Sequence, residues 1–204
     1  YSGLYVVDAH SGETKPLVRE RTATYRGLEG AWSGDGTAVF YPRDDPQQGI
    51  QLRARHLETG TERELYRAEA GARIHQLALS SDGRNLAFVV RNGTDSTETL
   101  VVMPAEGGES RRLATVRNGE VKCVEWTRDG SELLFLTPGK PPSVWHVPFE
   151  GGTPKKLDSA LDGFSTFRLH PDGRRLALVR GEMRSEVWVI DRAVPVSGAR
   201  RANQ

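Results

Sequence analysis

The chemistry-bearing residues of this chain do not form a catalytic motif. The segment GFSTF at 163–167 begins like the Gly-x-Ser-x-Gly turn that exposes a serine nucleophile, but it lacks the second glycine and leads into a predicted strand. We therefore expect Ser165 to be a strand-surface serine. The sequence has no His-Glu-x-x-His motif, no Walker loop and no Gly-x-Gly-x-x-Gly fingerprint. These observations predict a protein that is not an enzyme.

Candidate metal ligands are equally sparse. The five histidines are dispersed, and only His75, at the start of a predicted innermost strand, lies where it could face a ligand. Asp44 and Asp45 are adjacent carboxylates in the loop RDDPQQG, but the spaced acidic pattern of a calcium loop is missing. The single cysteine, Cys123, is expected to be a buried thiol that acts as a small apolar side chain. No metal and no cofactor are predicted.

The overall charge argues against nucleic acid as a partner. The chain has 28 basic and 27 acidic residues and a net charge of +1, whereas nucleic-acid-binding domains usually carry a basic excess. No apolar run is long enough for a membrane-spanning helix, so membrane insertion of this segment is not expected.

Two turn motifs recur along the chain at nearly constant spacing. The first is an Asp-Gly pair between short apolar runs, and its copies are 47, 47 and 43 residues apart. The second is another glycine-containing turn, with copies 48, 48 and 44 residues apart. The glycines of the first motif are Gly36, Gly83, Gly130 and Gly173, and those of the second are Gly12, Gly60, Gly108 and Gly152. A common period in two independent landmarks indicates a repeat protein.

Each period has room for one blade of a β-propeller. Asp-Gly between apolar residues predicts a tight hairpin, because glycine adopts positive φ without a steric clash. Two hairpins give four short strands, and four antiparallel strands in roughly 40–50 residues form one propeller blade. In the third repeat we expect strands near 74–79, 85–90, 98–103 and 110–115. The fold predicted for 1–192 is therefore an all-β propeller.

About four to five blades are visible in the sequence. They are a half blade at 2–18 and blades at 24–67, 72–116, 119–158 and 164–191, followed by a polar tail at 193–204. This number is compatible with a small ring that the half blade closes, or with a fragment of a six-bladed ring.

Two further kinds of side chain are expected to serve the sheets. Trp126, Trp145 and Trp188 lie in predicted strands and should pack between blades, and the same is expected of Trp32. Arg111 and Arg112 begin a predicted outermost strand, where positive charge discourages pairing with other sheets. The alternative for this arginine pair is a patch that binds an acidic partner.

The repeats resemble those of TolB-like propellers, a WD-type family common in bacteria. The segments LSSDGRNLAFVV with LVVMPAEGGESRRL, and LHPDGRRLALV with VWVIDR, carry the resemblance, which covers about residues 2 to 192. Only the copy at Pro171 has the usual proline before Asp-Gly. The resemblance implies the fold and says little about function. The final repeat also resembles the closing blade of C-terminal propellers in bacterial sensor and regulatory proteins.

We place the candidate binding surface on the loops that differ between repeats. The Asp-Gly and Gly-Gly turns share one face of a propeller, and the variable loops share the opposite face, where binding is usually found on a rigid scaffold. Charged residues at the mouths of the innermost strands lie on the same face. The candidates for ligand or partner binding are Glu29, Asp44, Asp45, Arg73, His75, Arg91, Asp95, Glu120 and Lys122.

Three functions remain open at this stage. The first is a non-catalytic binding or sensory module that recognises a protein or small ligand through the variable-loop face. The second is a propeller that gates the catalytic domain of a prolyl-oligopeptidase-like serine hydrolase, which requires a hydrolase domain in the same polypeptide. The third is an assembly scaffold that self-associates through open blade edges.

The ends of the chain bear on this choice. The chain begins at Tyr1 in the middle of a repeat and ends after its last repeat, so we expect a piece of a larger protein and favour the first function. We favour a bacterial periplasmic location slightly over a cytoplasmic one.

Overall fold

The chain folds into consecutive antiparallel β-sheets. The computed structural model describes residues 2–20, 30–45, 47–95, 97–117, 119–157, 164–170 and 172–180. Within these ranges all regular secondary structure is β-strand. The sheets follow one another as the blades of a partial propeller and do not close into a ring. The all-β propeller prediction is confirmed.

Three of the sheets are complete four-stranded blades, each with its strands in chain order from the inner to the outer edge. A first strand pair precedes these blades and a last strand pair follows them. The first pair is β1 (Ser2–Val7) and β2 (Thr14–Glu20). Blade 1 is β3 (Ala31–Trp32), β4 (Ala38–Asp45), β5 (Gly49–His56) and β6 (Glu62–Arg67). Blade 2 is β7 (Arg73–Leu79), β8 (Asn85–Arg91), β9 (Glu98–Pro104) and β10 (Arg111–Val116). Blade 3 is β11 (Cys123–Trp126), β12 (Glu132–Thr137), β13 (Ser143–Pro148) and β14 (Lys155–Lys156). The last pair is β15 (Phe164–Leu169) and β16 (Leu176–Arg180).

The core lies between neighbouring blades. On β8, Leu86 and Phe88 pack toward blade 1, whereas Ala87 and Val89 pack toward blade 3. Successive side chains of a strand point to opposite faces, and both faces are covered here. This explains why the sequence of β8 is continuously apolar rather than alternating. The four strands predicted in the third repeat each end within one residue of the observed strands β7 to β10.

The Asp-Gly turns share one capping arrangement. The Asp carboxylate accepts a hydrogen bond from a backbone N–H two residues later, and in the first three turns also from a hydroxyl two residues earlier. The hydroxyl and carboxylate pairs are Ser33–Asp35, Ser80–Asp82 and Thr127–Asp129. These hydrogen bonds stabilise the ionised carboxylate, and they lower the pKa of Asp35 and of Asp129 to about 2. In the fourth turn His170 takes the position of the hydroxyl residue.

The turns of neighbouring blades contact one another. A Cβ atom on Gly34 would lie 3.0 Å from the Cα of Gly83, so these two turns meet backbone to backbone. The Ser81 hydroxyl donates to the backbone oxygen of Arg128 at 2.5 Å, which links the turns of blades 2 and 3. Many polar groups on the Asp-Gly turn face are therefore hydrogen-bonded within or between the turns.

The three described tryptophans divide into two environments, and Trp188 lies outside the described residues. Trp126 is buried between blades 2 and 3, and its indole N–H donates to the backbone oxygen of Ala78 at 3.0 Å. Trp145 stacks on Phe135 of its own blade and packs against the same core. The expectation for Trp32 is wrong, since its side chain is 52% exposed. It ends a two-residue strand directly before a turn, where little of the neighbouring sheet covers it.

We expect the free energy of unfolding to decrease between about pH 4 and pH 2. Asp35 and Asp129 have a pKa of about 2 in the folded chain and an ordinary pKa of 3.8, so their contribution to stability is fully present above the higher value and is lost as the pH falls through the lower one. Urea denaturation at several acidic pH values measures this loss. The double variant Asp35→Asn/Asp129→Asn should show a shallower pH dependence, and an unchanged dependence would contradict the capping role.

The hydrogen bond between Trp126 and Ala78 can be separated from the packing of the ring. We expect Trp126→Phe to lower the free energy of unfolding by about 1 kcal/mol, because it removes the N–H donor and leaves the Ala78 oxygen unsatisfied. Trp126→Ala should cost about 3–5 kcal/mol, because it also leaves a cavity between blades. Equal losses in the two variants, measured by denaturant titration, would show that the hydrogen bond and not the ring dominates.

Candidate functional site

A cavity of about 630 Å³ follows the inner edges of the blades. Strands β7, β11 and β15 supply most of its wall, together with residues of the Asp-Gly turns of blades 2 and 3. Its lining residues are Gly30, Gln76, Leu77, Ala78, Leu79, Ser81, Lys122, Val124, Glu125, Trp126, Thr127, Arg128, Thr166 and Arg168. We call it the axial cavity.

One ion pair crosses the axial cavity wall between blade 3 and the last strand pair. Arg168 donates to Oε1 of Glu125 at 2.8 Å. Burial raises the pKa of Glu125, while the positive charge of Arg168 opposes that shift. Behind this pair Cys123 is buried, and burial also raises the pKa of its thiol. The prediction that Cys123 is a buried thiol is confirmed.

A fully buried carboxylate lies where the variable loops meet blades 2 and 3. Glu98, the first residue of β9, has no exposed surface. Its Oε1 lies 3.3 Å from Nε2 of His75 and 3.5 Å from a guanidinium nitrogen of Arg91, although neither contact has hydrogen-bond geometry. Its Oε2 accepts the backbone N–H of Val121, which precedes β11. Glu98 therefore holds two side chains of blade 2 and the start of blade 3 together.

The remaining charges of this region surround the same point. Arg73 lies opposite Arg91 in the β7–β8 register and is exposed. Among the described residues, Arg73 has no carboxylate within 4 Å. Glu120 and Lys122 flank Val121 and form an ion pair of 2.7 Å, and Lys122 also lines the axial cavity. We call this group the mouth cluster; it contains Arg73, His75, Arg91, Glu98, Glu120 and Lys122.

The loop carboxylates among the candidates lie elsewhere. Asp45 accepts the backbone N–H groups of Gln47 and Gln48, and these hydrogen bonds lower its pKa. Asp95 accepts the backbone N–H of Thr97, which lowers its pKa in the same way. Asp44 is the penultimate residue of β4 and pairs with Ile50, and Glu29 lies outside the described residues. Asp45 and Asp95 therefore stabilise their own hairpin loops and do not join the mouth cluster.

Sequence reasoning named five of the six mouth residues but missed Glu98. The position of Glu98 is ten residues before the central glycine of its Gly-Gly turn, and the same position is Ile50 in blade 1 and Pro142 in blade 3. A glutamate among otherwise uncharged equivalents was a detectable signal. What it would contact depends on the neighbouring blade and could not be deduced from the repeat.

The backbone of β7 is irregular beside the axial cavity. Gln76 has a φ of 56°, and the register of β7 against β8 shifts between His75 and Ala78. Positive φ is uncommon for a residue other than glycine, and such strain is frequent at functional sites. The bulge separates His75, at the mouth cluster, from the regularly paired end of β7, and Gln76 itself lines the cavity.

The family to which the chain is related follows from its sequence. The family model described as "Prolyl oligopeptidase, N-terminal beta-propeller domain" matches residues 2–143. The chain belongs to this family. The segment that matches the family model contains the axial-cavity strands β7 and β11 and the whole mouth cluster. Among curated proteins, no sequence matches the chain significantly.

Several solved structures of other proteins share the fold of this prolyl-oligopeptidase-type propeller. TolB from Acinetobacter baumannii is 19% identical with a TM-score of 0.70, and the match covers 90% of this chain and 44% of TolB. An oligogalacturonate lyase in complex with manganese is 20% identical with a TM-score of 0.66, covering 85% and 51% of the two chains. Dipeptidyl peptidase 4 from Porphyromonas gingivalis is 15% identical with a TM-score of 0.54, covering 76% and 28%. The resemblance to TolB-like propellers is thus confirmed, and the chain spans about half or less of these proteins.

Two kinds of feature are absent from the described residues of this propeller. No group of three or more His, Cys, Asp and Glu side chains is arranged to hold a metal ion in that part of the chain. Likewise, none of its described segments is a helix long and apolar enough to cross a membrane.

We expect the charge of Glu98 to contribute to the stability of the blade 2–blade 3 contact. Glu98→Ala should lower the free energy of unfolding by about 1–3 kcal/mol, because Val121 loses its acceptor and Arg91 loses its carboxylate. Glu98→Gln keeps an acceptor for Val121 and should cost less. Denaturant unfolding measures both variants. A Glu98→Ala variant as stable as the wild-type chain would contradict this role.

Proposed function

We propose that the chain is a non-catalytic recognition module that binds an acidic group of a protein or small ligand at the mouth cluster and in the axial cavity. The observation that carries the proposal is the arrangement around Glu98. This buried carboxylate pairs with Arg91 and contacts the His75 ring, while the adjacent Arg73 has no acidic partner within 4 Å among the described residues.

The charges of the region favour an anionic ligand. The basic side chains of the mouth cluster and cavity wall are Arg73, Arg91, Lys122, Arg128 and Arg168, and the acidic ones are Glu98, Glu120 and Glu125. Glu98 is fully buried, so its carboxylate contacts protein groups and does not face solvent or a ligand. A carboxylate of a ligand would face an arginine guanidinium, which binds such groups through two parallel hydrogen bonds.

The size and composition of the axial cavity suit recognition of a short segment. Its volume of about 630 Å³ lies within the range of ligand pockets. Val124 and Trp126 supply apolar surface, and Gln76 and Thr166 supply polar groups. Inner strands are held rigidly by the blade cores, so the ligand would meet a preformed surface.

The nucleophilic side chains near the axis are not activated. The Ser165 hydroxyl is directed to the backbone oxygen of Val179 at 3.4 Å, and Cys123 is buried with a raised thiol pKa. His75 faces the carboxylate of Glu98. A covalent mechanism needs a nucleophile hydrogen-bonded to a general base. These contacts support binding rather than catalysis.

Family membership favours a second candidate function. In this alternative the chain is the propeller of a longer prolyl-oligopeptidase-like protein and controls access of peptides to a separate hydrolase domain. The same cavity would then admit peptides with little regard to their side-chain charge. The two functions therefore differ in the charge selectivity of binding.

Charge selectivity can be measured by fluorescence anisotropy with labelled hexaglutamate, hexaglutamine and hexalysine peptides. We expect the acidic peptide to bind best, and its binding to weaken at high salt. Arg73→Glu and Lys122→Glu should each weaken it about tenfold, since each reverses one positive charge at the mouth.

The matched control is Arg174→Glu, an exposed arginine in the Asp-Gly turn of the last strand pair. It makes the same charge change at a distance from the mouth cluster and should leave binding unchanged. Equal binding of all three peptides would contradict recognition of an acidic group and favour the gating function. An equal loss of peptide affinity in Arg174→Glu would show that the overall charge of the chain, and not the mouth cluster, determines binding.

A further inference from the structure

A second cavity lies between blades 1 and 2, separate from the axial cavity. It has a volume of about 370 Å³, and no residue of its wall belongs to the axial cavity or the mouth cluster. Its lining residues are Tyr66, Glu69, Ala72, Val90, Asn92, Asp95, Thr97, Thr99, Val101, Arg112, Thr115 and Arg117. We call it the interblade cavity. Its wall includes three of the variable connections, at 67–72, 91–97 and 116–120.

Two arginines of the interblade cavity have no ionic partner at contact distance among the described residues. Arg112 lies in β10, and Arg117 directly follows that strand. Within the described part of the chain, neither guanidinium has a carboxylate oxygen within 4 Å. The neighbouring Arg111 points the other way: it lies over the ring of Phe149 and donates to the Phe149 backbone oxygen. One arginine of this pair thus joins blades, while the other faces the cavity.

An aromatic ring and three hydroxyls complete the cavity wall. The ring of Tyr66 packs edge to face on Phe88 with centroids 5.0 Å apart, which fixes its orientation beside the cavity. Burial raises the pKa of its hydroxyl, and the nearby charge of Arg112 opposes that shift. Thr99 and Thr115 lie opposite each other on β9 and β10, and Thr97 lies next to them along the chain. Val90, Val101 and Ala72 provide the apolar part of the wall.

The acidic residues of the interblade cavity, Glu69 and Asp95, do not form close ion pairs with its arginines among the described residues. Asp95 uses Oδ1 to accept the Thr97 backbone N–H, and Arg117 acts on it only at longer range. Glu69 lies near the Tyr66 hydroxyl, whose pKa it raises further. The Thr97 hydroxyl also forms a hydrogen bond to Asp95, so the donors available to a ligand are the two arginines and the hydroxyls of Thr99 and Thr115. Glu69 is available as an acceptor for a ligand hydroxyl.

We propose that the interblade cavity binds a small hydroxylated organic anion, with its carboxylate or phosphate at Arg112 and Arg117 and its body against Tyr66 and the threonines. Arginine is the side chain best suited to either anion, and a partly buried aromatic ring offers a flat apolar surface to a compact ligand. A cavity of this size lies at the small end of ligand pockets. This site is additional to the axial site of the proposed function.

The test titrates the full chain with glucose 6-phosphate, glucuronate and glucose, followed by two-dimensional NMR and by calorimetry. We expect both anions to bind with Kd values of roughly millimolar order or tighter, and glucose to bind much more weakly. The phosphate and carboxylate arms determine which anion fits better. Shifted amide signals should include residues of β10 and of the 91–97 loop.

Three variants locate the site. Arg112→Gln and Arg117→Gln should each weaken binding of the anion about tenfold, because each removes one charged hydrogen-bond donor. Thr115→Val changes no charge and should weaken binding severalfold if a hydroxyl contacts the ligand. Arg111→Gln is the matched control next in sequence, and it should leave the affinity unchanged. Lys156→Gln serves as a second control if Arg111→Gln lowers stability.

Several outcomes would overturn the proposal. They are the absence of shifts with either anion at about 10 mM, equal binding of glucose, and an equal loss of affinity in both control variants. Arg73→Glu, which tests the axial site, should leave binding at the interblade cavity unchanged. The two sites can therefore fail independently.

Discussion

Each blade of this propeller is packed on both faces, and this constraint decides where polar chemistry can lie. Strand β8 sends Leu86 and Phe88 to one neighbour and Ala87 and Val89 to the other, and none of the four side chains reaches solvent. A charged group between blades must be paired, because its desolvation is costly. Binding groups are therefore confined to strand ends, inner edges and loops, where both cavities are found.

Two carboxylates show how the fold accommodates charge near its blade faces. Glu98 is enclosed between blades 2 and 3 with His75 and Arg91. Glu62 of blade 1 lies within 4 Å of three arginines, on the face opposite the blade 2 core. Burial raises the pKa of Glu62, but the hydrogen bonds and charges of the arginines lower it overall. In each place at least one arginine lies beside the carboxylate, which offsets the cost of taking its charge out of water.

Most of the architecture could be predicted because its signals are local. An Asp-Gly pair between two apolar runs favours a tight turn, and Gly36, Gly83, Gly130 and Gly173 all adopt positive φ close to 70°. Two such landmarks in one period determine the number and the approximate ends of the strands. The candidate site was predictable only in part, because contacts between blades join residues that are distant in sequence. The convergence of His75, Arg91 and Val121 on Glu98 depends on how blade 3 docks, and no local pattern encodes it.

Binding was expected on the variable-loop face and not on the face of the Asp-Gly turns. That expectation holds for the turn carboxylates but not for every turn residue. The carboxylates of its turns are occupied by their own hydroxyl and N–H donors, as at Asp35 and Asp129. However, Ser81, Thr127 and Arg128 of these turns also line the axial cavity, which therefore extends from the mouth cluster toward this face. A ligand anchored at Arg73 and Lys122 would extend along the inner strands past the Gln76 bulge. In the proposed function, the variable loops would select where such a ligand enters, and the Asp-Gly turns, whose carboxylates are already hydrogen-bonded, would form the far wall of its site.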